Sequence, residues 1–128
     1  MLQGLCLRLL PDNYTVCQVE DPSLVDFSQP CFFARTQDEC SLVYPTEKVP
    51  DTLRRADGWR GFYIKGELDF SLVGILAGIS GILAAEKISI FAVSTYNTDY
   101  VFIPEAHWQR ALDALVKAGY RIDETNAQ

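Results

Sequence analysis

The chain repeats itself, and that repeat is what most limits how it can fold. Sliding the first half forward by 59 positions brings Phe32 onto Phe91, Thr36 onto Thr95, Leu42-Val43 onto Val101-Phe102 and Pro45 onto Pro104, with Ala34 falling on Val93 and no gap needed. Each half then reads as strand, threonine-containing turn, strand, proline, helix. Two similar units of about sixty residues follow from this, the second regular and the first with a shortened helix region. The boundary falls near the Asp57-Gly58 turn signal, giving units of 1–58 and 59–128.

The second unit is the clearer of the two. Trp59 to Lys65 reads as a strand. Leu72, Ile75, Leu76, Ile79 and Leu83 recur at helical spacing, which predicts a helix over Asp69 to Glu86. Asp69 reads as its N-cap, with Leu68 and Val73 placed as a hydrophobic staple. Ile88 to Val93, apolar apart from Ser89, reads as a central strand with Tyr100 to Ile103 as its neighbour. Pro104 opens a second helix carrying Trp108, Ala111, Leu112, Leu115 and Val116 on one face and closed by Gly119; Tyr120 to Ile122 is the last strand. Strand-helix-strand-strand-helix-strand is the split βαβ order of a ferredoxin-like α+β sandwich, in which right-handed crossovers put both helices on one sheet face. Glycines 74, 78 and 81 inside the first helix each cost stability relative to alanine, so they are expected to serve close packing.

The first unit follows the same order less regularly. Tyr14 to Val19, Cys31 to Thr36 and Cys40 to Tyr44 read as strands, Leu24 to Phe27 as one helical turn, and the stretch 45–55 as polar chain with a short helix. Leu5 to Leu10 is a further strand that the pattern leaves open between the two units.

With 128 residues and 48% hydrophobic content, the chain can build one small core or two linked ones. A net charge of −6 with scattered basic residues argues against nucleic acid and acidic membranes as partners. The longest apolar stretch, Leu72 to Ala85, is too short and too glycine-rich to span a bilayer, and Met1 to Gly4 lacks a signal-peptide pattern, so a cytoplasmic location is expected. Cys6, Cys17, Cys31 and Cys40 form no C-x-x-C pair, and His107 is the only imidazole, which predicts reduced thiols and neither a metal nor a cofactor. No nucleophile-elbow, zinc-protease, P-loop or paired-cysteine motif is present, so no enzyme activity is expected.

The run from Gly66 to Leu76, followed by Ile88 to Tyr100, resembles the ACT-domain family, and within it the small tandem-ACT proteins related to aspartate-kinase regulatory domains and cytosolic arginine sensors. Weaker matches at Leu9-Leu10-Pro11, Tyr14 to Cys17, Arg35-Thr36, Asp38-Glu39 and Ser41 to Val43 extend the likeness across nearly the whole chain. The resemblance implies two ACT-like units in tandem and a non-catalytic regulatory protein. It also implies a small-molecule ligand, an amino acid foremost, held where ACT units meet, with a homodimer and a regulated protein partner as associates. The alternative is an interaction or dimerisation module that has lost its ligand.

Carried over by position, the resemblance assigns ligand contacts to Gly66, Asp69, Phe70 and Ser71 in the strand-to-helix loop. It adds Thr95, Tyr96 and Asp99 at the strand end, with Thr36 and Glu39 in the first half. Chemically, the free N–H groups of a helix start at Phe70 to Leu72 suit a carboxylate, Gly66 and Gly74 permit close backbone approach, and Asp99 suits an ammonium or a basic side chain. Against this, Asp69 serves equally as a cap and Asp99 as a hairpin-turn residue.

Overall fold

The computed structural model describes residues 5–50, 54–65 and 73–124. Within these residues the chain forms β1 (Cys6–Leu9), β2 (Tyr14–Gln18), β3 (Phe32–Arg35), β4 (Cys40–Pro45), β5 (Arg55–Ile64), α1 (Ile75–Ala85), β6 (Phe91–Ser94), β7 (Asp99–Pro104), α2 (Trp108–Lys117) and β8 (Arg121–Asp123). It divides into two units, 12–59 and 1–11 with 60–128, so the boundary falls inside β5.

In the larger unit the strands run in the order β6-β7-β5-β1-β8. β1 answers the question that the sequence left open. It pairs antiparallel with β5 (Leu7 opposite Ile64) and parallel with β8 (Cys6 opposite Arg121), so it separates two strands that a plain split βαβ unit would pair. The core lies between this sheet and both helices: Leu7, Phe62, Ile64, Val101 and Ile103 meet Ile79 and Leu83 of α1 and Ala111 and Leu115 of α2. Gly119, at φ +108, ends α2 with paired bonds from its own N–H to Val116 O and from Tyr120 N–H to Leu115 O. This is a full Schellman cap.

In the smaller unit the order is β3-β4-β2-β5, antiparallel throughout, which is the split βαβ arrangement again. β3 and β4 begin and end 59 positions before β6 and β7. Single 3-10 turns stand where helices would be, at Pro22–Leu24 and Thr46–Lys48. The second has its counterpart in the 3-10 turn Glu105–His107, which runs on into α2. The first copy cannot continue, because Pro50 drives Val49 to an extended φ −64, ψ 132.

Four expectations need correction. α1 begins at Ile75 and not at Asp69: Gly74 is its N-cap at φ +82 and Val73 is outside the helix, 82% exposed. The predicted cap Asp69 and Leu68 of the staple lie outside the described residues. Asp57-Gly58 is a bulge and not a turn, since Tyr14 faces Trp59 while Val16 faces Ala56, and Gly58 at φ +89 absorbs the extra residue. β6 is an edge strand and not a central one: it pairs with β7, and Ile88 leaves the strand to enter the core under α1. Val116 is 53% exposed and lies off the buried face of α2.

Candidate functional site

The hairpin tips carry the residues that the sequence singled out, and the two tips are built alike. Between β6 and β7, Thr95 N–H donates to Thr98 O at 2.8 Å, and Thr98 N–H donates to Thr95 Oγ1 at 3.3 Å. Between β3 and β4, Thr36 N–H donates to Glu39 O at 2.9 Å, and the N–H groups of Asp38 and Glu39 donate to Thr36 Oγ1 at 3.1 and 3.2 Å. Threonine holds this position because its hydroxyl accepts from the turn that it opens. Both threonine hydroxyls are therefore committed to shaping the backbone.

Asp99 lies opposite Ser94 in the first register pair of the hairpin, and its Oδ1 accepts from Ser94 Oγ at 2.6 Å. The other carboxylate oxygen takes no hydrogen bond from the described residues. Tyr96 projects at the tip, 76% exposed. Gly66, Asp69, Phe70 and Ser71 lie outside the described residues. In α1 the helix-start N–H groups that lack an intrahelical partner belong to Ile75, Leu76 and Ala77; the expected donors Phe70, Ser71 and Leu72 lie outside the described residues.

Thr98 is the residue that sequence reasoning missed. It is 7% exposed, and its Oγ1 donates to Ile64 O at 2.9 Å. Ile64 is the last residue of β5, so this bond fastens the hairpin tip to the end of that strand. A signal was available: Thr98 stands at the repeat position of Glu39. Glu39 makes the matching tie with its side chain, accepting on Oε1 from Gln18 Nε2 at 3.1 Å at the end of β2, and from Ser41 Oγ at 2.8 Å. Those two donors hold the Glu39 carboxyl below the usual range.

Beside the Glu39 tip, wholly within the 12–59 unit, lies an open cavity of about 620 Å³. Its lining comes from the end of β2, the following 3-10 turn, the β3–β4 tip and Arg54. Its trace in the sequence is the shortened helix region of the first half, which the structure reduces to the 3-10 turn Pro22–Leu24.

The remaining chemistry is sparse. His107 precedes α2, its Nδ1 3.2 Å from Arg110 Nη2. All four cysteines are free thiols; Cys17 alone is buried, and burial pushes its thiol pKa up. Among the described residues, no cluster of three or more His, Cys, Asp or Glu is placed to hold a metal, and no helix is long and apolar enough to cross a membrane.

Fold and tips together define a chain of two ferredoxin-like units, each with a threonine-built hairpin tip tied to a strand end, β2 in the smaller and β5 in the larger. Comparison with known proteins agrees. The ACT domain model matches residues 54–117, half of the chain, and the chain belongs to the ACT-domain family. A 58-residue stretch is 40% identical to the cytosolic arginine sensor for mTORC1 subunit 1 of Rattus norvegicus, covering 44% of this chain and 18% of that protein. The chain thus spans less than a fifth of the curated relative that it matches. Among solved structures, an Agrobacterium tumefaciens protein superposes with a TM-score of 0.83 at 24% identity, over 98% of both chains. The regulatory subunit of Thermus thermophilus aspartate kinase does so at 0.56 and 13%, over 84% of this chain and 93% of that one. These likenesses establish the ACT-type, ferredoxin-like fold.

Proposed function

We propose that this chain is a non-catalytic regulatory protein that binds an amino acid between ACT units brought together by homodimerisation, and passes ligand occupancy on to a protein partner. The observation that carries the reading is the Thr98–Ile64 bond, which holds the Thr95–Asp99 tip against the end of β5, the strand that precedes position 66 in sequence. The family resemblance assigns ligand contact both to this tip and to positions 66–71, which follow β5 in sequence. One carboxylate oxygen of Asp99 takes no hydrogen bond from the described residues and suits an ammonium or guanidinium. The name of the rat relative makes arginine the first ligand to try. Coupling to a partner requires only that ligand favour one assembly over another.

The test is a thermal-shift panel of the twenty amino acids on the full chain, repeated on Asp99→Asn and Thr98→Val. A ligand at a hundred times its Kd adds about 2.7 kcal/mol to stability, a shift of several degrees. A selective shift for one or two amino acids, weakened in Asp99→Asn, supports the proposal. A flat panel overturns it.

One observation favours the second reading, a ligand-free interaction module. On α1, Ala77, Gly81 and Ala84 are exposed, and a Cβ added at Gly81 meets nothing within 4 Å. A flat panel together with a concentration-dependent dimer in light scattering selects that reading.

A further inference from the structure

The sheet of the larger unit has two faces, and the core uses one of them. Leu7, Ile64, Val101 and Ile122 turn toward the helices. Side chains alternate along a strand, so Arg8, Tyr63, Tyr100, Arg121 and Asp123 stand on the opposite face. All five belong to the 1–11 and 60–128 unit. An antiparallel sheet face that no helix covers is ordinarily polar and solvated. This one is aromatic and basic. Tyr63 of β5 and Tyr100 of β7 lie side by side, with ring centroids 5.1 Å apart and planes 32° from parallel. Both are half-buried, whereas their chain neighbours Phe62, Ile64 and Val101 are fully buried. Phe91 on the edge strand, half-buried and stacked on Phe102, extends the aromatic area.

Cations stand beside the tyrosines. Arg8 is the register partner of Tyr63, and Asp123 that of Arg8. Asp123 Oδ2 accepts from Arg8 Nη2 at 2.8 Å and from Lys65 Nζ at 3.2 Å, which puts Lys65 on the same face. Arg121, exposed and two residues before Asp123 on β8, adds a third cation there. Among the described residues of these paired strands, three cations thus share one carboxylate, in a chain whose net charge is −6. The Lys65 side chain is 51% exposed, against 15% for Arg8, so its ammonium can turn to a second anion while the Arg8–Asp123 pair stays closed. A planar ring stacks on aromatic faces whatever its edge groups, and a phosphate is drawn to unmatched positive charge.

We propose that this outer sheet face is a binding site for a mononucleotide, with the base stacked on Tyr63 and Tyr100 and the phosphate held by Lys65 and Arg121. A long nucleic acid fits less well, because its phosphates would run on from a small basic area over an acidic chain. A free nucleotide sets its whole negative charge against the basic edge. The site stands independently of the amino-acid reading for the hairpin tip, since Asp99 alternates onto the other face of β7.

The experiment is an NMR titration of the isotope-labelled full chain with AMP, and with adenosine and ribose 5-phosphate as controls. AMP should shift the ring signals of Tyr63 and Tyr100 saturably, together with the amides of Arg8 and Lys65, and base protons should show contacts to the tyrosine rings. Adenosine lacks the charge and ribose 5-phosphate lacks the ring, so each should bind about fivefold more weakly or worse. Lys65→Gln, at an exposed position that does not threaten folding, should weaken AMP about fivefold and make its Kd less sensitive to salt. Tyr100→Leu keeps apolar cover on the strand and should weaken AMP about tenfold. Asp99→Asn should leave AMP binding unchanged. The proposal is overturned if AMP leaves the tyrosine ring signals in place, if either control binds as well as AMP, or if Lys65→Gln and Tyr100→Leu both bind AMP as the wild type does.

Discussion

Gly61 on β5 is a position where one methyl group decides packing. A Cβ there would lie 2.6 Å from Cδ1 and Cε1 of Phe102 and 3.1 Å from Cδ1 of Leu10. Phe102 is fully buried and stacked on Phe91 at 4.7 Å between ring centroids, so its ring has no easy way to retreat. Gly61→Ala should therefore cost about 1–3 kcal/mol in urea unfolding, as overpacking does. Phe102→Leu combined with Gly61→Ala should recover part of that loss, a coupling that a double-mutant cycle isolates. A neutral Gly61→Ala would mean that the ring yields freely. Nothing in the local sequence Arg60-Gly61-Phe62 announces this contact, because Phe102 reaches it only through sheet pairing. The glycines of α1 carry the same lesson. Read alike as packing residues, they separate in the structure: Gly74 is a left-handed cap, a Cβ on Gly78 would meet Tyr120 Oη at 3.1 Å, and Gly81 faces open space. Spacing reports that a glycine is present; only its neighbours say why.

Several elements that the sequence marked with their own local chemistry are found where expected, although the local Asp57-Gly58 signal proved to be a bulge. The 59-position repeat located β3, β4, β6 and β7 because strand, threonine turn and proline act within a few residues of one another. Gly119 marked the end of α2 for the same reason. What escaped is non-local. β1 joins the larger unit through partners more than fifty residues away, and the apolar run 88–93 splits between a core residue and an edge strand because Ile88 N–H closes onto Leu83 O. The candidate site follows this division: its turn-forming Thr36 and Thr95 were legible, while Thr98 and the 12–59 cavity depend on which strand ends lie alongside them. The closing bond of α1 also supports a prediction. Glu86 caps the helix, and Lys87 follows at φ +60, with Lys87 N–H bonded to Ala84 O and Ile88 N–H to Leu83 O. This is a Schellman cap with lysine where glycine is preferred, and the left-handed conformation costs a side-chain-bearing residue about 1–2 kcal/mol. Part of the gain from glycine is offset by its freer unfolded state. Lys87→Gly should raise stability by about 0.5–1 kcal/mol, a few degrees in Tm, whereas Lys87→Ala should give no gain. Equal Tm values for the glycine and alanine variants would show that the backbone there carries no strain.

At the scale of the molecule, acid should act on the two units unequally. Asp21, Asp26, Glu39 and Asp57 are all held below the ordinary carboxylate range, and all four lie in the 12–59 unit. The cause in each case is hydrogen bonding to the ionised form: Ser23 on Asp21, Ser28 on Asp26, Gln18 then Ser41 on Glu39, and Thr15 then Arg55 on Asp57. A carboxyl depressed in the folded state binds its proton later there than in the unfolded chain. Its stabilisation is therefore complete above the unfolded value of about 4 and drains away as pH falls through the folded values. Thr15 makes the Asp57 bond the most structurally consequential of the set, since this fully buried hydroxyl lies 2.6 Å from Asp57 Oδ1 and 2.9 Å from Thr46 Oγ1, joining β2, β5 and the turn after β4. Hydrogen exchange followed by NMR between pH 6 and pH 3 should show amides of β2 and β4 losing protection before those of β7 and α2. Thr15→Val should make the acid dependence of the 12–59 amides shallower, because Asp57 then titrates nearer its unfolded value. Loss of protection in both units at one pH would mean that they unfold as a single cooperative body, and the separate stability of the 12–59 unit would have to be abandoned.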